Sequence, residues 1–294
     1  ATDLDVAGIM PDVLYQKADI TKSEELIPVL DNVTIVIHAA GLAHVFNPDA
    51  RSSEKFYKIN EIGTKNVATV AATAGVRHFV LISSVSVYGP CTHGIYDENE
   101  LCLPVGPYAQ FKYNAELRAI EIARKSGMAL TIIRFATLYG EGDPGNISRL
   151  ISVLDKGRFI WVGDGSNRKS LLYKGDAARA VMEVIKRPAS GVNIFNISAP
   201  PCTMREIVDS IGDALDKHPL PFKIPSSLAL FLSRHLSRIP NIRLIGLHQT
   251  IKKWLAEDVY DTRRFEKAYG FQIRTGLKDG LKREVDWYLK HDRT

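Results

Sequence analysis

A tyrosine and a lysine four residues apart have the types and spacing for acid–base chemistry. Tyr108 and Lys112 stand near the start of a predicted helix, where this spacing places them on one face, one turn apart. A lysine ammonium there would lower the tyrosine pKa from about 10 toward neutral pH, as a phenolic acid–base group requires. The spacing alone is a weak signal, because any amphipathic helix can contain it.

A serine-rich segment could hold a substrate against this tyrosine. Ser83, Ser84 and Ser86 follow an apolar run, and Ser84 precedes Tyr108 by 24 residues. Sheets of α/β proteins bind their ligands at the carboxyl ends of the strands. A serine hydroxyl at that position can hold a substrate oxygen near the phenol.

The scaffold for these residues is predicted from an alternation of short apolar runs with longer helical patterns, which is typical of βαβ units. The predicted strands are residues 13–18, 33–39, 78–83 and 130–135, and the predicted helices are 23–30, 53–74 and 108–126. Parallel strands joined in this way form one sheet covered on both faces. The fold class is therefore a Rossmann-type, doubly wound parallel α/β sheet.

The pattern changes after residue 145, where the elements become shorter. The predicted strands are 159–162, 170–173 and 193–197, and the predicted helices are 147–156, 176–186 and 204–215. We assign residues 1–145 to a cofactor-binding domain. Residues 146–294 are predicted to be mainly a smaller substrate-binding lobe, interleaved with the sheet.

The composition is that of an ordinary globular protein, with 45% hydrophobic and 24% charged residues. Because 38 basic against 33 acidic residues is a mild and scattered excess, we expect a phosphate-bearing ligand rather than nucleic acid. Cys91, Cys102 and Cys202 match neither a disulfide framework nor a zinc site. No run of 18 apolar residues and no signal-peptide pattern is present, so we expect a soluble, cytoplasmic protein without stable membrane insertion.

Six segments carry a resemblance to a known family. They are Ala18-Asp19-Ile20, Val36-Ile37-His38-Ala39-Ala40-Gly41, the run from Asn60 through Gly63 and Thr64 to Asn66, the run from Ser83 to Gly89, Tyr108 with Lys112, and the run from Arg134 to Gly142. In this order the segments resemble the extended short-chain dehydrogenases, also called the NAD-dependent epimerase/dehydratase family. The resemblance covers nearly the whole chain and implies NAD as cofactor, with NADP not excluded, and a nucleotide-linked sugar as substrate.

The resemblance also implies roles for individual residues. Tyr108 is implied to be the acid–base group, Lys112 to bind the nicotinamide ribose and lower the tyrosine pKa, and Ser84 to bind the substrate hydroxyl. The implied cofactor contacts are Asp19, Ile20, Ala39, Ala40, Gly41, Asn60, Ser83, Tyr108, Lys112 and Phe135. The implied substrate contacts are Ser84, Ser86, Thr137, Asn146 and Lys169. For Asn146 and Lys169, whose implied partner is the diphosphate, a helix cap and a solvated charge are the alternatives.

The beginning of the chain departs from the family pattern. The family opens with a strand, a glycine-rich turn that cradles the cofactor pyrophosphate and a second strand, whereas this chain begins at Ala1 with what resembles the tail after that second strand. We expect that roughly 30 residues, about one βαβ unit, are absent. The run from Gly140 to Gly145 has the spelling G-x-G-x-x-G, but it follows the catalytic segment, so we interpret it as a substrate-side loop.

Two further departures concern the reaction. Val85 and Ser86 stand where the family's dehydratases carry an acidic pair that moves a proton during loss of water, which disfavours a 4,6-dehydratase. Thr137 stands where many epimerases have asparagine.

Two other features have competing interpretations. His38 and His44 lack a third ligand at a recognisable spacing, so we expect a structural role and no metal. The stretch from Ser226 to Ile239 is apolar and then basic; it could rest on an anionic membrane surface, but a buried lobe helix with a charged end is favoured.

The function predicted is epimerisation at C4 of a nucleoside-diphosphate sugar such as a UDP-hexose. One alternative is a reductase or dehydrogenase of a keto-sugar or a hydroxylated small molecule, which would exchange its cofactor at each turnover. The other is a catalytically silent, cofactor-sensing protein. By resemblance we expect a homodimer packed through the helices at 53–74 and 108–126.

Overall fold

A parallel sheet supports the residues that the sequence singles out. The computed structural model describes residues 2–3, 12–43, 50–91, 94–220, 222–236 and 247–292. Its strands are β1 Thr2–Asp3, β2 Gln16–Lys17, β3 Ile35–His38, β4 His78–Ser84, β5 Ala129–Phe135, β6 Thr137–Tyr139, β7 Trp161–Val162, β8 Arg168–Lys169, β9 Leu171–Tyr173, β10 Val192–Ile197, β11 Cys202–Thr203 and β12 Lys223–Ile224. Its α-helices are α1 Ser23–Leu30, α2 Ala50–Phe56, α3 Thr64–Thr73, α4 Pro107–Ser126, α5 Asn146–Asp155, α6 Lys174–Lys186, α7 Met204–Leu215, α8 Ser226–Leu236, α9 Leu247–Leu255, α10 Arg263–Tyr269 and α11 Leu277–His291.

The central sheet has the order β10-β5-β4-β3, and every pair in it is parallel. Alternate residues of β4 and β5 enter different cores, because side chains of a strand alternate between the two faces. Phe79 and Leu130 join α1, α3 and α4 on one face, while Val80 and Ile133 join α6 and α10 on the other. The predicted parallel α/β sheet with both faces covered is confirmed.

The first predicted strand does not join this sheet. Only Gln16–Lys17 of residues 13–18 is extended, and it pairs with Thr2–Asp3. Strand β3 is the last strand of the central sheet on that side, and Ile37 within it is exposed. The absence of a family βαβ unit stays a prediction.

The helix predicted at 53–74 is not continuous. It begins earlier, as α2, and passes through a π-helical segment, Tyr57–Gly63, before α3. The hydroxyl of Thr64 donates to the carbonyl of Asn60 at 2.6 Å, and a Cβ on Gly63 would lie 2.6 Å from Ile20 Cδ1. The helix can therefore approach residue 20 only at a glycine. Such π-helical segments are frequent at functional sites, and this one contains Asn60.

The C-terminal lobe has its own core, formed by α5, α7 and α11 with β6, β7 and β9. Strand β10 belongs to this half of the chain but pairs with β5 in the central sheet. The chain therefore passes between the sheet and the lobe more than once. The division at residue 145 stays a prediction.

Helix α8 differs from the buried lobe helix expected at 226–239. Leu228, Phe231 and Leu232 are exposed in the described part of this stretch, so that expectation is wrong for these residues. Among the residues that the structure describes, no helix has both the length and the apolar character required to cross a bilayer.

A carboxyl group is buried where α11 meets the loop after β6. Glu284 Oε2 accepts a hydrogen bond from the Gly140 N–H at 3.0 Å, whereas Oε1 has no partner among the described residues. Burial raises the pKa of Glu284 to about 8, and the charge of Asp143 acts in the same direction. The folded protein therefore favours the neutral acid.

We expect Glu284→Gln to stabilise the protein increasingly as the pH rises from about 4.5 to about 8. Over that interval the unfolded chain releases a proton that the native state retains, so the wild type loses stability by up to about 1.4 kcal/mol per pH unit. Urea unfolding at several pH values measures the difference. The exposed Asp279→Asn on the same helix is the control, and a pH-independent difference between wild type and Glu284→Gln would refute the assignment.

Candidate active site

The segments that carry the predicted chemistry begin where parallel strands end. The loop 39–41 follows β3, a 3-10 turn Val85–Tyr88 follows β4, and residue 136 follows β5. Ser84 and Phe135 are direct partners in the pairing of β4 with β5. Because the three strands are parallel, the three segments leave the same edge of the sheet.

Helix α4 brings the predicted acid–base pair to this edge. Tyr108 is in its first turn, next to the edge of the buried Phe56 ring, and close enough to Ser84 for that side chain to act on its pKa. Lys112, one turn later, donates from Nζ to the carbonyl of Ile82 at 2.8 Å. The structure thus brings Ser84, Tyr108 and Lys112 together.

The electrostatics of the pair differ from the expectation drawn from the sequence. Burial raises the pKa of Tyr108, and the hydrogen bond with Ser84 acts in the opposite direction. Burial lowers the pKa of Lys112 to about 8, and the charge of Glu116 opposes that shift. The Tyr108 pKa is thus raised rather than lowered, because desolvation of the phenol is the largest effect, and a lowering by Lys112 stays a prediction.

Beside the tyrosine, Ser86 offers a hydroxyl for a ligand. The Ser84 Oγ accepts from the Ser86 N–H at 3.2 Å, which fixes the turn after β4. The Ser86 Oγ is buried and has no hydrogen-bond partner among the described residues. Buried hydroxyl groups are normally paired, so this one fits a polar ligand.

Gly41 and Asn60 lie at the centre of the residues that are expected to contact the cofactor. The side chain of Asn60 holds the backbone of Leu42 from both sides, since its Oδ1 accepts from the N–H at 2.7 Å and its Nδ2 donates to the carbonyl at 3.0 Å. A Cβ on Gly41 would lie 3.2 Å from Asn60 Oδ1 and 3.6 Å from Lys112 Nζ. A glycine at this position keeps the loop open beside Lys112, while Ala39 before it is exposed and Ala40 half-buried.

Asp19 and Ile20 lie at the outer end of the same side. The Asp19 carboxylate accepts from the N–H and the hydroxyl of Thr21, and these bonds lower its pKa. The carbonyl of Ile20 accepts from Asn66 Nδ2 at 3.1 Å. The Asp19 side chain thus stabilises its own turn, and its contact with adenine stays a prediction.

His38 is a structural residue in this geometry. Its Nε2 lies 3.0 Å from the hydroxyl of Thr64, and burial, with a smaller effect of the Lys112 charge, lowers its pKa to about 3. His44 lies outside the described residues.

Beneath the site is a buried polar network that sequence reasoning missed. Ser83 donates to Glu116 at 2.5 Å, and Glu116 forms an ion pair with Arg134, with Nη2 and Oε2 2.6 Å apart. Arg134 Nη1 donates to the Tyr88 hydroxyl, which donates to Asn196 Oδ1, both at 2.8 Å. The network joins α4 to β4, β5 and β10. It also gives the Ser83 hydroxyl a protein partner, so its predicted cofactor contact has no support from the side chain.

The signal for this network was available but ambiguous. Glu116 is four residues after Lys112, a spacing that also describes a surface ion pair, and Arg134 is in a strand. Their partnership depends on strand order, which one helix or strand alone does not reveal.

The remaining substrate candidates occupy three separate elements. Thr137 begins β6 and is exposed, and Asn146 is the exposed first residue of α5, where helix N–H groups favour an anion. Lys169 Nζ donates to the carbonyls of Lys253 and Ala256 and to Asp258 at 2.6 Å. With three acceptors around Lys169, a diphosphate would have to displace one, and the predicted contact remains untested.

The run from Gly140 to Gly145 is unsuited to a pyrophosphate. The N–H of Gly140 donates to Glu284, and the N–H of Gly145 donates to Asp143 at 2.9 Å. Carboxylates therefore occupy the amides that a phosphate would need. This geometry agrees with the interpretation of a loop outside the pyrophosphate site.

Together, the parallel sheet and the Ser84–Tyr108–Lys112 arrangement define a Rossmann-type protein with the site of a short-chain dehydrogenase. The sequence model of the NAD dependent epimerase/dehydratase family matches residues 7–198, more than half of the chain. The chain belongs to the NAD-dependent epimerase/dehydratase family.

Two curated relatives show what this chain is similar to. An N-acetyl-alpha-D-glucosaminyl-diphospho-ditrans,octacis-undecaprenol 4-epimerase of Escherichia coli O157:H7 is 28% identical over 256 residues, which cover 85% of this chain and 77% of the relative. A UDP-glucose 4-epimerase of Vibrio cholerae is 28% identical over 286 residues, covering 95% and 84%. Among solved structures, MoeE5 in complex with UDP-glucuronic acid and NAD has a TM-score of 0.77 at 26% identity, covering 98% of this chain and 90% of that one.

We expect Glu116→Ala to lower the free energy of unfolding by about 3–5 kcal/mol, because it leaves the buried Arg134 guanidinium without its counter-ion. The same change at Glu257, whose ion pair with Arg168 is exposed, should cost at most about 1 kcal/mol. Urea unfolding of the two variants measures both values. Equal losses would show that the buried pair does not hold the site together.

Proposed function

We propose that the protein epimerises, at C4, a hexose carried on a diphosphate, with a UDP-hexose as the substrate class. The observation that carries this proposal is that Tyr108 and Lys112 of α4 lie beside Ser84 of β4 at the carboxyl edge of the sheet. The names of the two relatives support it, because both describe 4-epimerases of a sugar that bears a diphosphate. The bound UDP-glucuronic acid of MoeE5 supports the nucleotide as carrier.

The residues of the site suffice for the proton transfers of this reaction. Ser84 holds the C4 oxygen of the sugar, and Tyr108 as phenolate removes the hydroxyl proton and later returns it. Between these steps the 4-keto sugar turns its other face to the cofactor. Lys112 supplies positive charge at the edge of the site, and the unpaired Ser86 hydroxyl can bind a second sugar oxygen.

NAD fits the residues on the other side of Lys112, and MoeE5 was solved with NAD. The chemistry that NAD would supply there is reversible acceptance of a hydride from the sugar carbon, with no net oxidation over the cycle. The residues that would hold it are Asp19, Ile20, Ala39, Ala40, Gly41, Asn60, Lys112 and Phe135. Gly41 supports this fit, because a side chain there would crowd Asn60 and Lys112.

A dehydratase is disfavoured by the residues after Ser84. Val85 is buried and cannot transfer a proton, and Ser86 is not an acid at neutral pH. Loss of water from the sugar needs such a group, whereas epimerisation needs only the tyrosine.

The proposal includes a cytoplasmic homodimer that packs through α2, α3 and α4. Tyr57 and Leu117 support this surface, because both are large apolar side chains exposed on adjacent helical segments.

The test is an incubation of the protein with UDP-glucose, UDP-galactose and their N-acetyl forms. Chromatography resolves the sugars while nicotinamide absorbance is followed. Conversion without a net change in absorbance is expected. A change in absorbance tied to product would instead identify a dehydrogenase or reductase, and the absence of both signals would favour a cofactor-sensing protein.

We expect Tyr108→Phe to lower kcat by at least about 100-fold, because it removes the proton-transfer group. The Tyr108 ring packs against Phe56, so the variant should keep its melting temperature. Phe111→Leu, on the same helix, is the control for disturbance of that helix. Full activity of Tyr108→Phe would exclude the mechanism.

Ser84→Ala should move the rise of kcat/KM with pH to higher pH. The hydrogen bond with Ser84 lowers the Tyr108 pKa, so its loss raises that pKa and the phenolate forms at higher pH. The kcat should also fall by about tenfold, as expected for one lost hydrogen bond. Ser84→Thr keeps the hydroxyl and should restore the wild-type profile; an unchanged profile in Ser84→Ala would argue against this contact.

A further inference from the structure

The positive charge of the protein is concentrated in one segment. Residues 217–256, here called the basic segment, contain seven Lys and Arg residues, three His and no Asp or Glu. The rest of the chain has 31 basic and 33 acidic residues and is therefore slightly acidic. An uninterrupted stretch of this kind attracts an anionic surface.

Helix α8, within the basic segment, packs with small side chains inward. Ala229 and Ser233, one turn apart, are buried, and the Ser233 hydroxyl lies 3.0 Å from Nδ1 of His248 in α9. The apolar residues Leu228, Phe231 and Leu232 are 47%, 60% and 45% exposed. Their spacing of three and four residues places them on one face, here called the α8 apolar face. A helix that packs only within its own lobe normally has the opposite arrangement.

Further exposed apolar residues lie just before α8. Leu220 and Phe222 are the most exposed of them, at 73% and 77%. Strand β12 then pairs with β7, and Lys223 is the partner of Trp161, directly after the exposed Ile160. The apolar exposure thus extends from α8 into the strand pair that precedes it.

We propose that the α8 apolar face, together with the Lys and Arg residues in the described part of the basic segment, binds the surface of an anionic lipid bilayer. A helix in that position inserts its apolar face among the lipid tails near the headgroups, while Lys and Arg contact the anionic headgroups. The His235 ring lies against Phe231, with ring centroids 4.3 Å apart, at the charged end of the same face. The inference does not rest on the proposed reaction.

Charge argues against a second copy of the chain as the occupant. A two-fold symmetric contact places the same surface on both sides, so the exposed Lys252 and Lys253 of one copy would approach those of the other. Like charges at close range oppose such a contact. An anionic bilayer satisfies both the apolar face and the charge.

The test is sedimentation of the full-length protein with vesicles. Vesicles of phosphatidylglycerol and phosphatidylethanolamine should bind the protein at about 0.1 M salt, where the Debye length is about 10 Å. Vesicles of phosphatidylcholine should bind it more weakly. The triple change Leu228→Ser, Phe231→Ser and Leu232→Ser should weaken binding at least about tenfold. The double change Lys252→Glu and Lys253→Glu should also weaken it at least about tenfold, and more strongly at low salt.

Matched variants control for apolar exposure and for charge. The triple change Ile27→Ser, Val153→Ser and Met182→Ser removes exposed apolar side chains from three other helices, and Lys278→Glu with Lys290→Glu reverses two exposed charges on α11. Both controls should bind vesicles like the wild type, and every variant should keep the wild-type melting temperature.

Failure of the wild type to sediment with anionic vesicles, or undiminished binding by the α8 triple variant, would overturn the proposal. Light scattering that shows this variant alone losing a dimer would assign the face to a second copy and overturn it as well.

Discussion

The ion pair between Glu116 and Arg134 determines where the reactive residues lie. It crosses from α4 to β5, and both side chains are buried. A charge removed from water is stable only with a close counter-ion and further hydrogen bonds, so the pair permits little movement of α4 against the sheet. Tyr108 is two turns before Glu116 on that helix, and Ser83, which donates to Glu116, is the neighbour of Ser84. The pair therefore fixes the distance between the phenol and the serine that is to hold the substrate.

The same burial that positions the site works against its reactive charges. Desolvation raises the pKa of Tyr108 and lowers the pKa of Lys112, so burial disfavours the charged form of each. Ser84 acts in the opposite direction on the Tyr108 pKa, so the residue that is to hold the substrate also favours the phenolate.

The parts of the fold that the sequence predicted are those with a local cause. Helix 204–215 was predicted with the bounds that the structure has, and its Thr203 forms a capping box with Glu206. The π-helical segment was not predicted; Gly63 at its end lies against Ile20, 43 residues away in the chain, and a contact over that distance leaves no local pattern in the sequence. The direction of the Tyr108 pKa shift was missed for a similar reason: spacing places a lysine near a tyrosine, but only packing determines how much water each has lost.

Helix α8 shows where a pattern in the sequence is insufficient. An apolar run in a lobe of a globular protein usually packs inward, and that rule led to the expectation of a buried helix. The rule fails because the side of the helix that faces α9 has small residues, Ala229 and Ser233, which permit close packing and leave the larger side chains outside.

Lys169 connects the basic segment with the proposed reaction. Its ammonium donates to the carbonyls of Lys253 and Ala256, which lie at the end of the basic segment. If Lys169 meets the diphosphate, as the resemblance implies, the group beyond that diphosphate leaves the site beside the basic segment. The lobe residues at this exit, rather than the residues around Tyr108, would then select the carrier of the sugar, because the reaction at C4 requires only the sugar itself.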